Sequence, residues 1–412
     1  MSVIGTRVIG SKPPPGDMER PEATAANAHA DLEDVKTAHG LSRLHYIDGM
    51  RAVAALWVVA SHGLQPDNPL LRLPIVSVPA RIILVNHVPV MVFLTLSGFC
   101  LYYPLALKTP ALPALNVSYR DFIARRARRI LPPFYAALGL CLLLIGVLPV
   151  MRVGGAHEQW RSAVPVSAGG VLSHLLLLHN LSPLFWKQID YPSWSIGLEW
   201  QLYLFFPLFV WMFRRGHPLL TVAAALAVTL GTRAVAAHLP GAAGFALQNG
   251  PWALCIAFVL GMYAARCTVS GLHPRLPRWL LGTVCLAAFG IVFLRGMAGK
   301  GSGSFLLSPL GTLCLLLLAA DSRSIIHRAF SQPWLVRMGV FSYSLYLIHA
   351  PLLHLFIDAL DRTALSPVAG YGLLCAGAIP VIVGISYVFF LVFERPFIGR
   401  PRTKAPSPQT ET

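Results

Sequence analysis

The run from Leu373 to Val392, Leu-Leu-Cys-Ala-Gly-Ala-Ile-Pro-Val-Ile-Val-Gly-Ile-Ser-Tyr-Val-Phe-Phe-Leu-Val, carries no charged side chain. As a helix it rises about 1.5 Å per residue and so covers about 30 Å, the thickness of a bilayer's hydrocarbon core. Its backbone groups must then bond to one another, because hydrocarbon offers no water to take them. Similar apolar runs surround Leu138–Val150 and Leu254–Tyr263, and short basic stretches separate them. Working outward, the pattern predicts ten spans, at roughly 47–63, 87–105, 132–150, 195–213, 218–237, 250–266, 279–295, 303–320, 340–358 and 369–393. Composition agrees: 55% of the 412 residues are hydrophobic and only 12% charged, about half the charge usual in soluble domains. The expected fold is an all-α integral membrane protein of about ten transmembrane helices.

Basic residues set the orientation. With span ends counted to the side they face, 23 of the 33 Lys and Arg residues fall on the amino-terminal side of the membrane and 8 on the other, which puts both termini in the cytoplasm. The membrane domain is expected over 45–396, between a disordered cytoplasmic tail at 1–44 and a second tail at 397–412. The longest outer loop, about 151–194, is large enough to shape a lid or an acceptor groove. The net charge of +16 gathers at helix ends and does not form one face of a soluble domain, so nucleic acid is not an expected partner. Seven cysteines with no Cys-x-x-Cys pair read as packing residues, and no metal site is expected. Walker, Gly-x-Gly-x-x-Gly and His-Glu-x-x-His patterns are lacking too.

Ionisable residues inside apolar helices are costly and need an explanation. In the first span Arg51 and His62 stand eleven residues apart, on one stripe and about 16 Å apart along the axis. Asp48 is positioned to pair with Arg51 at i,i+3. His62 reads either as a reactive group in the outer half of the bilayer or as an interfacial histidine. In the fourth span Ser195, Glu199 and Tyr203 recur every fourth residue and form a polar stripe. A carboxylate beside a histidine is the smallest unit for general-base work on a hydroxyl, and Glu199 lies at nearly the depth of His62. The other reading of Glu199 is a structural partner for an arginine. Ser342, Tyr346 and His349 share a face of the ninth span, His349 being either a second catalytic group or an interhelical hydrogen bonder. Ser97-Gly98 permits close approach of a ligand or of another helix. The arginines Arg125, Arg126, Arg128 and Arg129 fit either anionic lipid or a phosphate site.

Five segments in order resemble the membrane acyltransferase-3 family. They are Asp48-Gly-Met-Arg51 with His62 beyond it, Ser97-Gly-Phe99, Arg125-Arg-Ala-Arg-Arg-Ile-Leu-Pro-Pro133, the Trp194-Ser…Glu199-Trp-Gln…Tyr203 block, and Ser342-Tyr-Ser…Tyr346…His349. The resemblance covers about Leu44 to Pro396; Met50 and Thr95 replace the more usual Leu and Val. The resemblance implies an acyl-CoA donor, usually acetyl-CoA, and a hydroxyl acceptor, usually on a carbohydrate. It implies that Arg51 and the four clustered arginines face the phosphates of coenzyme A, with Ser97 and Gly98 also on the donor's path. His62, supported by Glu199, would deprotonate the acceptor, or would carry the acyl group itself. Ser195, Tyr346 or His349 would donate to the oxyanion, with Tyr203 nearby at the substrate. The last span is followed by too few residues for the SGNH esterase-like domain of some members. Expected partners are the acyl-CoA, the carbohydrate, membrane lipids and glycan-assembly machinery, in a bacterial inner membrane. A transporter or flippase with His62 and Glu199 as a proton relay is the reading from another class. It lacks the expected internal repeat and leaves the one-sided arginine cluster unused.

Overall fold

A computed structural model describes residues 44–64, 74–85, 87–108, 115, 118–153, 158–270, 277–298 and 304–398. The tails expected at 1–44 and 397–412 lie almost entirely outside these residues. Helices dominate, and the described residues contain no strand. Those that matter for the site are α1 (His45–Gly63), α2 (Pro74–Ile83), α3 (His87–Lys108), α4 (Tyr119–Val147), α5 (Ala168–Leu175), α6 (Trp194–Arg215) and α7 (Pro218–Ala236). They continue as α8 (Pro251–Val269), α9 (Arg278–Met297), α10 (Ser304–Ala319), α11 (Pro333–Val340) and α12 (Ser342–Asp361), and α13 covers Pro367–Phe397.

Eight helices are long and apolar enough to cross a membrane. Each of the ten expected spans is a helix. The two outside that set are α1, which carries Asp48, Arg51 and His62, and α10, with 16 residues. Large apolar side chains such as Leu143, Val147, Leu220, Leu286 and Leu294 point outward. Polar residues such as Thr95, Ser342, Ser344, His349 and Glu394 are buried. That inversion is what a hydrocarbon solvent selects. The chain is an all-α, multi-pass integral membrane protein.

Helices approach most closely where glycine removes the side chain. A Cβ on Gly98 would sit 1.9 Å from the Phe258 carbonyl oxygen, and one on Gly261 would sit 1.8 Å from that of Thr95. α3 and α8 therefore pack backbone to backbone, as small residues allow in membranes. The amino-terminal end of α1 is gripped likewise: a Cβ on Gly49 would meet Phe330 O at 1.8 Å, and one on Gly339 would meet Asp48 O at 2.1 Å.

Three features depart from the expected pattern. α4 begins at Tyr119, capped by Ser118, whose hydroxyl accepts from Asp121 N at 3.1 Å. The arginine run is thus three helical turns and not a loop. Pro132-Pro133 resembled a helix start, but inside a membrane helix neighbouring segments can accommodate the lost hydrogen bonds. α2 forms within the expected 64–86 loop. α13 contains two π turns, Leu374–Ala378 and Phe390–Glu394, and the second brings Glu394 into the bundle.

The long loop after α4 is a packed cap. Trp160 is fully buried, donates to Met151 O at 3.0 Å, and stacks on His354 of α12 at 5.0 Å. His354 Nε2 in turn bonds to Val150 O at 3.0 Å.

The glycine contacts give a direct test. Gly98→Val and Gly261→Val should each abolish monodisperse protein in detergent, since backbone atoms cannot yield the space. Gly139→Ala, which meets nothing within 4 Å, should be neutral or add up to about 1 kcal/mol to helix stability. Normal yield of either valine variant would contradict this packing.

Candidate active site

Two histidines from distant parts of the chain meet near the carboxy-terminal end of α1. His62 Nδ1 lies 2.8 Å from His349 Nε2, with the rings stacked 5.1 Å apart and 6° from parallel. His349 Nδ1 lies 2.6 Å from the carbonyl oxygen of Tyr346. A carbonyl only accepts, so His349 Nδ1 bears hydrogen and, with the ring neutral, Nε2 is its acceptor. His62 Nδ1 must then be the donor, and the basic lone pair of neutral His62 falls on Nε2. Tyr191 sets its ring against His62 at 4.9 Å and 75°.

Tyr346 also anchors the start of α6. Its hydroxyl donates to Pro192 O at 2.7 Å, so the 2.6 Å contact with Ser195 is donated by Ser195 Oγ. Both hydroxyl hydrogens expected to serve an oxyanion are therefore engaged, and the pair acts here as a positioning device.

Glu199 lies in a separate layer. Ser97 Oγ and Tyr203 OH both donate to its Oε1, and the two hydroxyls are 3.3 Å apart. The expected support of His62 by Glu199 is corrected: His349 holds that position. The cause is helix placement, because α1 turns His62 toward α12, while Tyr203 is one turn beyond Glu199 on α6. Gly98 is corrected as well, since the Phe258 carbonyl occupies the space that a ligand would need.

Basic side chains lie close to this group. Arg51 lies within electrostatic reach of Asp48, Glu199 and Glu394. Asp48, expected to pair with Arg51, is among the charges that act on it. Arg126 and Arg129 lie near Cys100, and Arg129 near Glu394 and Tyr343. The buried Nε of Arg126 lacks a partner, and its guanidinium lies 5.8 Å from the Phe122 ring centroid. Arg125, Arg128 and Arg129 are exposed and Arg126 is half-buried, with Arg125 and Arg129 both within electrostatic reach of Arg126. Tyr343 OH donates to Ile130 O at 3.1 Å, fastening α12 to α4. Glu394 accepts from the Ser344 amide at 3.2 Å and from its hydroxyl.

Sequence reading placed Glu394 just past the last span; the signal was a carboxylate directly ending a long apolar run. It read the cap segment as a lid or acceptor groove but singled out none of its side chains. There His174 and His179 stack with centroids 3.9 Å apart. Asn180 Nδ2 donates to Gln201 Oε1 at 3.2 Å, and Gln201 Nε2 returns a bond to Asn180 Oδ1 at 2.8 Å. Burial depresses His174 to about 4, and burial with the neighbouring His174 depresses His179 to about 3. Burial pushes the Asp190 carboxyl up to about 8. Each of these three side chains holds a buried polar atom without a hydrogen-bond partner.

The depressed histidines make the cap acid-sensitive. Both stay neutral in the fold but take up protons near pH 6.5 once unfolded. Their contribution is complete above that value and is lost as pH falls toward 4, by up to about 1.4 kcal/mol per pH unit for each ring. Amide exchange in 168–181, corrected for intrinsic rate, should accelerate between pH 7 and 5. Unchanged protection would contradict the neutral pair.

The comparisons with known proteins bear on this arrangement. The sequence profile described as "Acyltransferase domain" matches residues 44–387, which takes in both histidines, Glu199 and the arginine run. The exopolysaccharide production protein ExoZ of Rhizobium meliloti (strain 1021) is 25% identical over 321 residues, 76% of this chain and 90% of that protein. The acyltransferase MdmB of Streptomyces mycarofaciens is 26% identical over 396 residues, 90% of this chain and 96% of its own length. No solved structure matches the chain. With the profile running through nearly all the membrane helices, the chain belongs to the acyltransferase-3 family of membrane acyltransferases.

Proposed function

We propose that this protein moves an acyl group, acetyl in the simplest case, from acyl-CoA to a hydroxyl of a carbohydrate such as an exopolysaccharide unit or a lipid-linked oligosaccharide. The observation that carries the reading is the hydrogen-bonded series His62, His349, Tyr346 carbonyl. It supplies a histidine whose tautomer is fixed and whose basic nitrogen is Nε2. The name of ExoZ, an exopolysaccharide production protein, favours a glycan acceptor.

The donor supplies a thioester carbonyl and a good leaving group. Arg126 and Arg129 meet its phosphates at the cytoplasmic face, and the unpartnered Nε of Arg126 fits a phosphate oxygen. Arg51 offers a further cation deeper in the bundle. Glu199, held by Ser97 and Tyr203, balances that charge and keeps this layer in register. His62 Nε2 removes the proton as the acceptor oxygen attacks the thioester carbon. The imidazolium so formed keeps its Nδ1–H on His349, which is steadied by the Tyr346 carbonyl. As the tetrahedral centre collapses, the C–S bond breaks and His62 returns the proton to the departing sulfur. Ten spans with both termini cytoplasmic, in a bacterial inner membrane, complete the proposal. Lipids and glycan-assembly proteins are its expected neighbours.

His62→Ala should lower acyl transfer at least about 100-fold at normal membrane yield; half the wild-type rate or more would remove His62 from the chemistry. Arg126→Gln/Arg129→Gln should raise the donor KM by roughly 10- to 150-fold per effective contact, equivalent to about 1.5–3 kcal/mol each. Its kcat should fall much less. Arg125→Gln/Arg128→Gln should leave donor KM near wild type, and equal KM values for both pairs would return the cluster to lipid headgroups. In intact cells, Ser182→Cys should react with an impermeant maleimide and Arg125→Cys should not. The reverse pattern would invert the proposed orientation.

A further inference from the structure

Asp190 lies in the turn that leads into α6 and is only 5% exposed. Its main chain is fully committed. The amide donates to Gln188 O at 2.7 Å, while the carbonyl accepts from Ser193 N at 3.0 Å and from Ser193 Oγ at 2.6 Å. The preceding residue, Ile189, is held at φ +67°, a left-handed conformation unusual for a β-branched side chain. Its amide donates to Ala163 O at 2.9 Å, and its side chain packs with Leu138 and Cys141. Such strain persists where the surroundings over-determine the backbone, and it clusters at functional sites.

What this turn presents is a carboxyl group whose Oδ1 is buried without a hydrogen bond. Its polar neighbours are Cys141, Tyr191 and Tyr346. The Tyr346 hydroxyl is already saturated by Ser195 and the Pro192 carbonyl, and so cannot donate to Asp190. A buried carboxyl left in this state is destabilising. Its position is also specific, because the next residue, Tyr191, lies edge-on to His62. Asp190 thus sits in the cap segment within electrostatic reach of Tyr191, whose ring packs on the proposed base, and of Tyr346.

We infer that Asp190 is an acceptor-binding residue: its carboxyl hydrogen-bonds to hydroxyl groups of an incoming sugar and holds the one to be acylated beside His62. Two carboxyl oxygens suit neighbouring hydroxyls, so the preferred acceptor is a sugar bearing an adjacent pair. The assignment rests on the proposed transfer to a carbohydrate hydroxyl, and it adds which residue recognises that carbohydrate.

The test uses the full chain in nanodiscs with radiolabelled acetyl-CoA and a panel of methyl glycopyranosides, each with its monodeoxy analogues. The wild type should acetylate at least one glycoside and lose at least tenfold in kcat/KM when the hydroxyl adjacent to the acetylated one is removed. Asp190→Leu should raise the glycoside KM at least tenfold and respond equally to glycoside and deoxy analogue, with acetyl-CoA KM within twofold. Asp190→Asn, nearly isosteric and still able to hydrogen-bond, keeps the test valid if the leucine variant fails to fold, and should fall between the two. Unchanged glycoside KM in Asp190→Asn, or undiminished discrimination against the deoxy analogue, would overturn the Asp190 assignment and leave the transfer reaction standing. Release of labelled acetate with no glycoside labelled by the wild type would overturn the carbohydrate acceptor itself, and the assignment with it.

Discussion

The hydrogen bond between His62 Nδ1 and His349 Nε2, at 2.8 Å, joins residues 287 apart in sequence. In hydrocarbon a polar side chain without a partner is costly, so each ring fixes the other. The Tyr346 carbonyl fixes the second ring, and the Tyr346 hydroxyl fixes Pro192 and Ser195. From that one contact the polarity of the pair, the entry of α6 and the base of the cap are all set.

A network of charges accompanies it. Glu199, with its two hydroxyl donors, and Glu394 both act on Arg51, and Arg129 acts on Glu394. In the proposed function the arginines of α4 serve the donor and the cap segment serves the acceptor. Helix contacts at Gly49, Gly98, Gly261 and Gly339 hold the helices in register, since each lets one backbone rest against another.

The ten helices were legible because an apolar run must be a helix in hydrocarbon, whatever its neighbours. The residues of the site were legible for a related reason: an ionisable side chain inside such a run stands out. Their pairing was less so. Periodicity placed Glu199 and Tyr203 on one face, and the structure joins them, but it gave no rotation of α1 relative to α6 and α12. His62 was therefore assigned to Glu199 when His349 is its partner. Similarly, the half-buried Arg126 could not be told from its exposed neighbours in the arginine run until α4 was seen to begin at Tyr119. Asp190, His174 and His179 sit in a segment without periodic pattern, where burial comes from tertiary packing and leaves no local signal.

The account depends most on which nitrogen of His62 carries hydrogen. Nitrogen NMR of protein labelled at histidine, with His62 and His349 assigned by single substitution, reads this directly at neutral pH. Both rings should be protonated at Nδ1 and bare at Nε2, with coupling across the His62 Nδ1–H to His349 Nε2 bond. Hydrogen on Nε2 of His62, with Nδ1 bare, would turn its basic nitrogen toward His349 and contradict the proposed base.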